Sequence, residues 1–449
     1  IIISMKNKFK ILDEVKEELH ARPYIKLVSN LRTFHFAYLI KDDQESLAWK
    51  YLNKFLTHLN FKNLPEKKLK FWIAESKDLI IRYECHTEFI SLTLIYPDKV
   101  ESIVKKKKPK LFDEKSLNTL PVNFLINFPG QLILSTWIEM YPGNSKINPL
   151  EIENVFFHDN FAGSEVAEKG AKIFMSFKSD RTNYFNTGFR RVFIQNVSLR
   201  SRRTGRLLQR IVELETYQVL SLIGLPKVRD ESKNLSKLEK EISNITRSVS
   251  ELSKEKLTNS LISYPDFQKN LNQLSYVVAQ IENISSSINY RISATFAYYK
   301  LVEQRLSDLR ETRLESFQTC KEFLNRRLEP AIRTCEAFSK RLESLATRAQ
   351  RADNLVRTQI EMGIQLQNKD LLMSMEKRAS AQLRLQEAVE TLSLVAITYY
   401  LIGLISSIIK PINFDSFFFS KEIFISISIP IIFLTIWFIA KILRKKIKK

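Results

Sequence analysis

Ionisable side chains gather in two places along the chain. The first is Glu17-Glu18-Leu19-His20-Ala21-Arg22-Pro23, at the end of a short helical pattern over residues 11–24. The second is Arg200, Arg202, Arg203, Arg206 and Arg210, followed by Glu213 and Glu215. On a helix Arg206, Arg210 and Glu213 share a face, so ion pairs within that helix are one expectation. The other is a site for an anion or an acidic lipid, because five arginines in eleven residues exceed what two glutamates neutralise. The five histidines, His20, His35, His58, His86 and His158, are scattered without metal-ligand spacing. His35 lies in a strand-like run and reads as a hydrogen-bonded core histidine. With only nine glycines, no glycine-rich phosphate loop, and neither HExxH nor CxxC, the residues point to no enzyme, no cofactor and no defined metal site.

The elements that must position these groups fall into three parts. Thr33–Ile40, Leu69–Ala74, Leu79–Tyr83, Phe89–Tyr96, Ala171–Phe177 and Arg191–Val197 alternate aromatic or β-branched residues with polar ones and read as strands. Helical patterns cover Gln44–Leu59, residues from Pro129 to 140, and 205–225, the last ending near Gly224 and Pro226. Residues 1–226 therefore form a mixed α/β domain, long enough for a core of its own. After Pro226 the pattern becomes helical. Leu235, Leu238, Ile242, Ile245, Val249 and Leu252 repeat at 3-4 spacing, as in a coiled-coil seam. A second helix starts near Asp266, with Phe267, Leu271, Leu274, Val278, Ile281 and Ile288 on one face. Residues 227–330 thus read as a hairpin of long helices bounded by Pro330, and 331–390 as a stalk helix. Fold class is α+β.

The last part, 391–449, is apolar. Residues 391–409 and 423–440 carry no charge and are long enough for two spans of a bilayer. The linker holds Asn413, Asp415 and three phenylalanines, while six basic residues occupy the final nine positions. The excess of Lys and Arg on the tail places it, and the large domain with it, on the cytoplasmic side. Both termini are expected on the cytoplasmic side of the membrane. Along the first span Ser393, Ala396, Tyr400, Gly403 and Ser407 form a small-and-polar stripe. It reads as a helix-packing face or as a pore lining. The net charge of +21 suits an anionic lipid surface or an acidic partner. No zinc-finger, RNP or helix-turn-helix pattern points to nucleic acid. Cys85, Cys320 and Cys335 suggest buried thiols rather than a disulfide framework.

Several stretches carry a family resemblance. Glu18-Leu19-His20-Ala21-Arg22-Pro23, the run Gly205-Arg206-Leu207-Leu208-Gln209-Arg210 continuing through Glu213, Glu215 and Tyr217, and Gln386-Glu387-Ala388-Val389-Glu390 entering Tyr399-Tyr400 resemble the bacterial "uncharacterized membrane-anchored protein" family, a domain of unknown function. That resemblance implies membrane anchoring and no assigned activity. The order of parts is also similar to the CorA-type magnesium channels, which are pentamers, and this implies a homo-oligomer and a divalent cation as partner. Their Gly-Met-Asn motif is absent, and Ile405 to Asn413 stands in its place with Lys410. The expectation is a membrane-anchored, oligomeric scaffold or regulator, with a two-span ion channel as the alternative.

Overall fold

The computed structural model describes residues 23–41, 43–61, 69–97, 110–143, 149–156, 161–182, 185–258, 264–315, 317–409 and 421–447. The chain divides into two units. One comprises Ile1–Ile245 with Leu274–Arg351, the other Thr246–Gln273 with Ala352–Lys449.

The first unit is built on a ten-stranded mixed sheet. Its strands are β1 (Leu31–Leu39), β2 (Phe71–Glu75), β3 (Ile80–Cys85), β4 (Phe89–Pro97), β5 (Gln131–Pro142), β6 (Phe161–Val166), β7 (Ala171–Ser176), β8 (Asp180–Thr182), β9 (Phe185–Asn196) and β10 (Thr312–Arg313). The order is β10-β6-β7-β9-β5-β1-β4-β3-β2, with β8 on β9. β5 and β9 run parallel, and the other pairs are antiparallel. One face is covered by α1 (Glu45–His58), a 3-10 turn (Glu114–Thr119), α2 (Val122–Ile126) and α3 (Pro149–Phe156), around Trp137, Phe34 and Phe189. The opposite face meets α4 (Ser201–Leu222), the C-terminal end of α6 (Tyr264–Leu309) and the start of α7 (Cys320–Ile409), around Ile138, Ile194, Ile211 and Leu306. The architecture is α+β, as the mixture of patterns indicated.

The strand at the sheet's centre differs from expectation. The stretch after Pro129 is β5, not a helix, and it lies between β1 and β9. Leu134, Trp137, Ile138, Met140 and Tyr141 are all buried. A strand covered on both faces reads as a continuous apolar run and loses its alternation, so its period resembles a buried helix. β9 begins earlier than its sequence pattern, and β6 carried no clear alternation.

The long helices also shift their boundaries. α4 ends at Leu222, close to the expected end near Gly224 and Pro226, but Pro226 itself sits in the first turn of α5 (Gly224–Thr258), where its missing N–H costs no hydrogen bond. α6 stops at Leu309, and β10 adds a short strand to β6 before α7 begins at Cys320. Pro330 therefore lies inside α7 rather than at its start. Proline removes one rung of the helix, yet Leu328, Ile332 and Cys335 are buried on both sides of it and hold the helix in place. The start is fixed by Thr319 and Glu322: Glu322 N–H donates to Thr319 Oγ1 (3.1 Å), and Thr319 N–H donates to Glu322 Oε2 (3.2 Å), a reciprocal capping box. From there α7 continues unbroken for 90 residues. Along α6 the buried line runs through Leu274, Val277, Ile281, Ile284, Ile288 and Ile292, so Val277 rather than Val278 is its member.

The second unit holds the C-terminal end of α5, the N-terminal end of α6, the C-terminal part of α7, and α8 (Lys421–Ile447). Among its described residues Val249, Phe267, Ala352 and Val356 are the buried apolar ones.

Candidate functional site

The segment that follows the first ionisable cluster meets the second around the start of α4. Asn196, at the end of β9, ties down the turn into the helix: its Oδ1 accepts from Leu199 N–H (2.7 Å), and its Nδ2 donates to Leu199 O and Ser29 Oγ (3.0 Å each). The segment from Pro23 to Leu27 then crosses the helix, with Leu27 N–H donating to Ser201 O (3.1 Å). The crossing point is Gly205. A Cβ there would stand 1.7 Å from Ile25 O, so only glycine allows the two backbones to touch. Next to it the Arg206 guanidinium lies over the Tyr24 ring, 5.3 Å from its centroid.

Beneath α4 lies a layer of buried polar groups. His35 of β1 is 1% exposed and bonds Thr93 Oγ1 of β4 through Nδ1 (2.9 Å) and Thr216 Oγ1 of α4 through Nε2 (2.8 Å). Thr216 donates its own hydroxyl proton to Val212 O (2.8 Å). It therefore accepts from Nε2–H, and in the neutral ring that burial favours Thr93 donates to Nδ1. Burial pushes the His35 pKa down to about 4; Glu84 opposes that fall, and Arg82 and His86 add to it. Arg82 and Glu84 of β3 pair at 2.7 Å, Ser91 donates to Glu84 (3.2 Å), and Arg82 also reaches Gln209 Oε1 (3.4 Å) and Pro23 O (3.5 Å). Glu215 is fully buried, 3.4 Å from Arg190 and 2.6 Å from Gln218 Nε2. Burial raises its pKa more than Arg190 lowers it.

Along its other edge α4 is bound to α6. Gln209 donates to Glu213 (2.8 Å), Glu213 pairs with Arg305, and Arg305 also meets Asp308 at 3.1 Å. Arg210 donates to Asp308 O (3.0 Å). A cleft of about 10 Å³ opens beside His35, Glu84, His86 and Tyr217, room for about one water. The arrangement can orient and clamp.

Of the residues marked in the sequence, Pro23, Arg206, Gln209, Arg210, Glu213, Glu215 and Tyr217 come together here. His20, Arg22, Asn413 and Asp415 lie outside the described residues. The ion pairs expected between Arg206, Arg210 and Glu213 do not form. Glu213 turns to Arg305 and Glu215 to Arg190, because α4 is packed on both sides and its acids face those partners. Arg200, Arg202, Arg203 and Arg206 are exposed at the N-terminal end of α4, where positive charge opposes the helix dipole. Arg203 pairs with Glu168 at 2.9 Å, and Glu168 also takes Arg310. Arg82, Glu84, Thr93, Arg190 and Arg305 were missed, since they lie on separate strands and on a distant helix with no shared spacing. Polar residues on the apolar face of α4, Glu215 and Thr216, were the available signal.

In the second unit, α7 and α8 each hold an 18-residue window of mean hydropathy 1.8 and 2.1, of which 6% and 0% is buried. Both helices are long and apolar enough to cross a membrane. Ser393, Ala396, Tyr400, Gly403 and Ser407 are all exposed, and nothing stands within 4 Å of a Cβ built on Gly403. The more covered side of this part of α7 runs instead through Leu394, Thr398, Leu401 and Ile405. Among the described residues no group of three or more His, Cys, Asp or Glu is placed to hold a metal ion.

A clamped α+β unit together with two apolar C-terminal helices defines the class of this protein. The chain belongs to the family described as "Protein of unknown function (DUF3422)", whose model matches residues 10–447. No curated protein matches the chain.

Proposed function

We propose that this is a membrane-anchored scaffold or regulator, not an enzyme, inserted through the apolar end of α7 and through α8. The exposure of both apolar windows carries this reading. A core helix of a soluble protein buries such a window, whereas these lie bare along their length. Lys441 over the Trp437 ring, 4.9 Å from its centroid, fits an interfacial anchor in which an amphipathic ring sits at headgroup level and the ammonium reaches water. The basic tail favours the cytoplasmic side for both flanks in a bacterial inner membrane. The unpaired excess of arginine at the start of α4 suits an anionic lipid surface.

The test is fractionation of the full chain and of a chain ending at Glu390. The full chain is expected in the membrane pellet, resistant to alkaline carbonate, and the truncated chain in the supernatant. A full chain released by carbonate overturns the reading.

A further inference from the structure

We infer that the surface around the start of α4 docks on an anionic bilayer, where Arg203 and Arg310 exchange the carboxylate of Glu168 for a lipid phosphate. The inference rests on the membrane reading above and extends it from the arginine cluster to the apolar and acidic residues beside it. Leu27 N–H on Ser201 O and Asn196 Nδ2 on Ser29 Oγ hold residues 27–29 against the entry to α4. Val28 and Val197 therefore emerge beside the arginines, 76% and 53% accessible. Lys26, Lys169, Arg200, Arg202 and Arg206 are exposed around the same point. Among the described residues Glu168 is the only acid paired with any cation of this surface. The positive end of the α4 dipole adds to the same potential.

Glu168 marks the place of the phosphate. Its Oε2 accepts from Arg203 of α4 (2.9 Å) and its Oε1 from Arg310, just past the end of α6. One guanidinium thus faces each oxygen, and the two non-bridging oxygens of a phosphodiester present the same pair of acceptors. The ion pairs are not what fixes the turn between β6 and β7. Ala167 N–H donates to Leu309 O (2.9 Å), and Gly170 O accepts from Val197 N–H and Ser198 N–H (3.0 Å each). These backbone bonds hold Ala167, Glu168 and Lys169 at positive φ (53°, 61° and 62°), a costly conformation for residues with a Cβ. The Glu168 side chain can leave while the turn stays. Arg203, Glu168 and Arg310 are all exposed, and ion pairs so exposed are weak enough to be exchanged.

The valines select a bilayer over a soluble phosphate. An ion in solution offers Val28 and Val197 nothing to enter, whereas apolar side chains set among arginines suit the boundary between headgroups and acyl chains. Tyr24, beside Arg206, is of the type that settles at that level.

An environment-sensitive dye on V197C, in the full chain reconstituted into vesicles, tests this; Cys85, Cys320 and Cys335 are buried and stay in place. Emission is expected to rise roughly twofold or more when phosphatidylglycerol is added to phosphatidylcholine, while the same dye on K115C, on the opposite face of the sheet, stays unchanged. E168Q removes the internal competitor and should reach the half-maximal rise at about fivefold less phosphatidylglycerol, a gain that misfolding does not produce. R203Q combined with R310Q should lose the rise. No rise at V197C, an equal rise at K115C, or no gain from E168Q overturns the proposal. So does an equal rise when inorganic phosphate replaces phosphatidylglycerol, which assigns the site to a soluble anion. Alkaline carbonate reads anchoring separately. A chain that stays in the vesicles without a rise at V197C loses this docking surface and keeps the anchor, and one that is stripped off yet shows the rise does the reverse.

Discussion

Gly205 and Ile25 touch backbone to backbone: the space a Cβ would take on Gly205 lies 1.7 Å from Ile25 O. This contact locks the segment after the first ionisable cluster against the helix that carries the second. Arg82 adds to the same clamp, reaching Pro23 O on one side and Gln209 on the other.

G205A is therefore expected to destabilise the sheet unit by at least about 1–3 kcal/mol, the usual effect of overpacking. Thermal unfolding measures it. G363A is the control: nothing lies within 4 Å of a Cβ there, and alanine gains up to about 1 kcal/mol of helix propensity. Equal effects of the two would contradict the clamp.

Removing the arginine beneath α4 tests the buried carboxylate. R190M leaves Glu215 without its cation and should cost on the order of 3 kcal/mol. Adding E215Q restores much of that loss, because an amide tolerates burial better than a carboxylate. Denaturant melts of the two variants decide the point, and no recovery in the double variant would count against the pairing.

His35 gives stability a defined pH dependence. Its folded pKa of about 4 lies below the ordinary histidine value of 6.5, so the unfolded chain binds the proton first as pH falls. Its contribution is complete above about pH 6.5 and is lost progressively down to pH 4, up to about 3 kcal/mol. H35Q should flatten that part of the stability curve. A wild-type curve with the same slope as H35Q would contradict the neutral ring.

At the start of α4, the combined change R200A, R202A and R206A should weaken pelleting with phosphatidylserine or phosphatidylglycerol vesicles several-fold, most clearly at low salt. All three side chains are exposed, so the fold should survive, losing at most the contact of Arg206 with the Tyr24 ring. Unchanged pelleting would remove the lipid reading of this cluster.

Much of this was legible in the sequence, and the reasons are physical. β1 and β4 kept enough alternation to be seen, and the long helices announced themselves by 3-4 spacing. His35 read correctly as a satisfied core histidine. β5 did not, because burial on both faces erased its period, and Pro330 misled because packing around it outweighs one lost hydrogen bond. The start of α7 was missed, although Thr319 and Glu322, a capping pair three residues apart, were the available signal. The polar layer was not legible, since His35, Thr93 and Thr216 meet only once β1, β4 and α4 are stacked.

The central claim is that the chain crosses the membrane twice, and labelling from outside intact cells tests it most directly. S416C, between the two apolar segments, should react with an impermeant maleimide before the cells are opened, whereas K115C in the sheet unit should react only afterwards. If S416C is also silent until the cells are opened, the chain does not span the membrane.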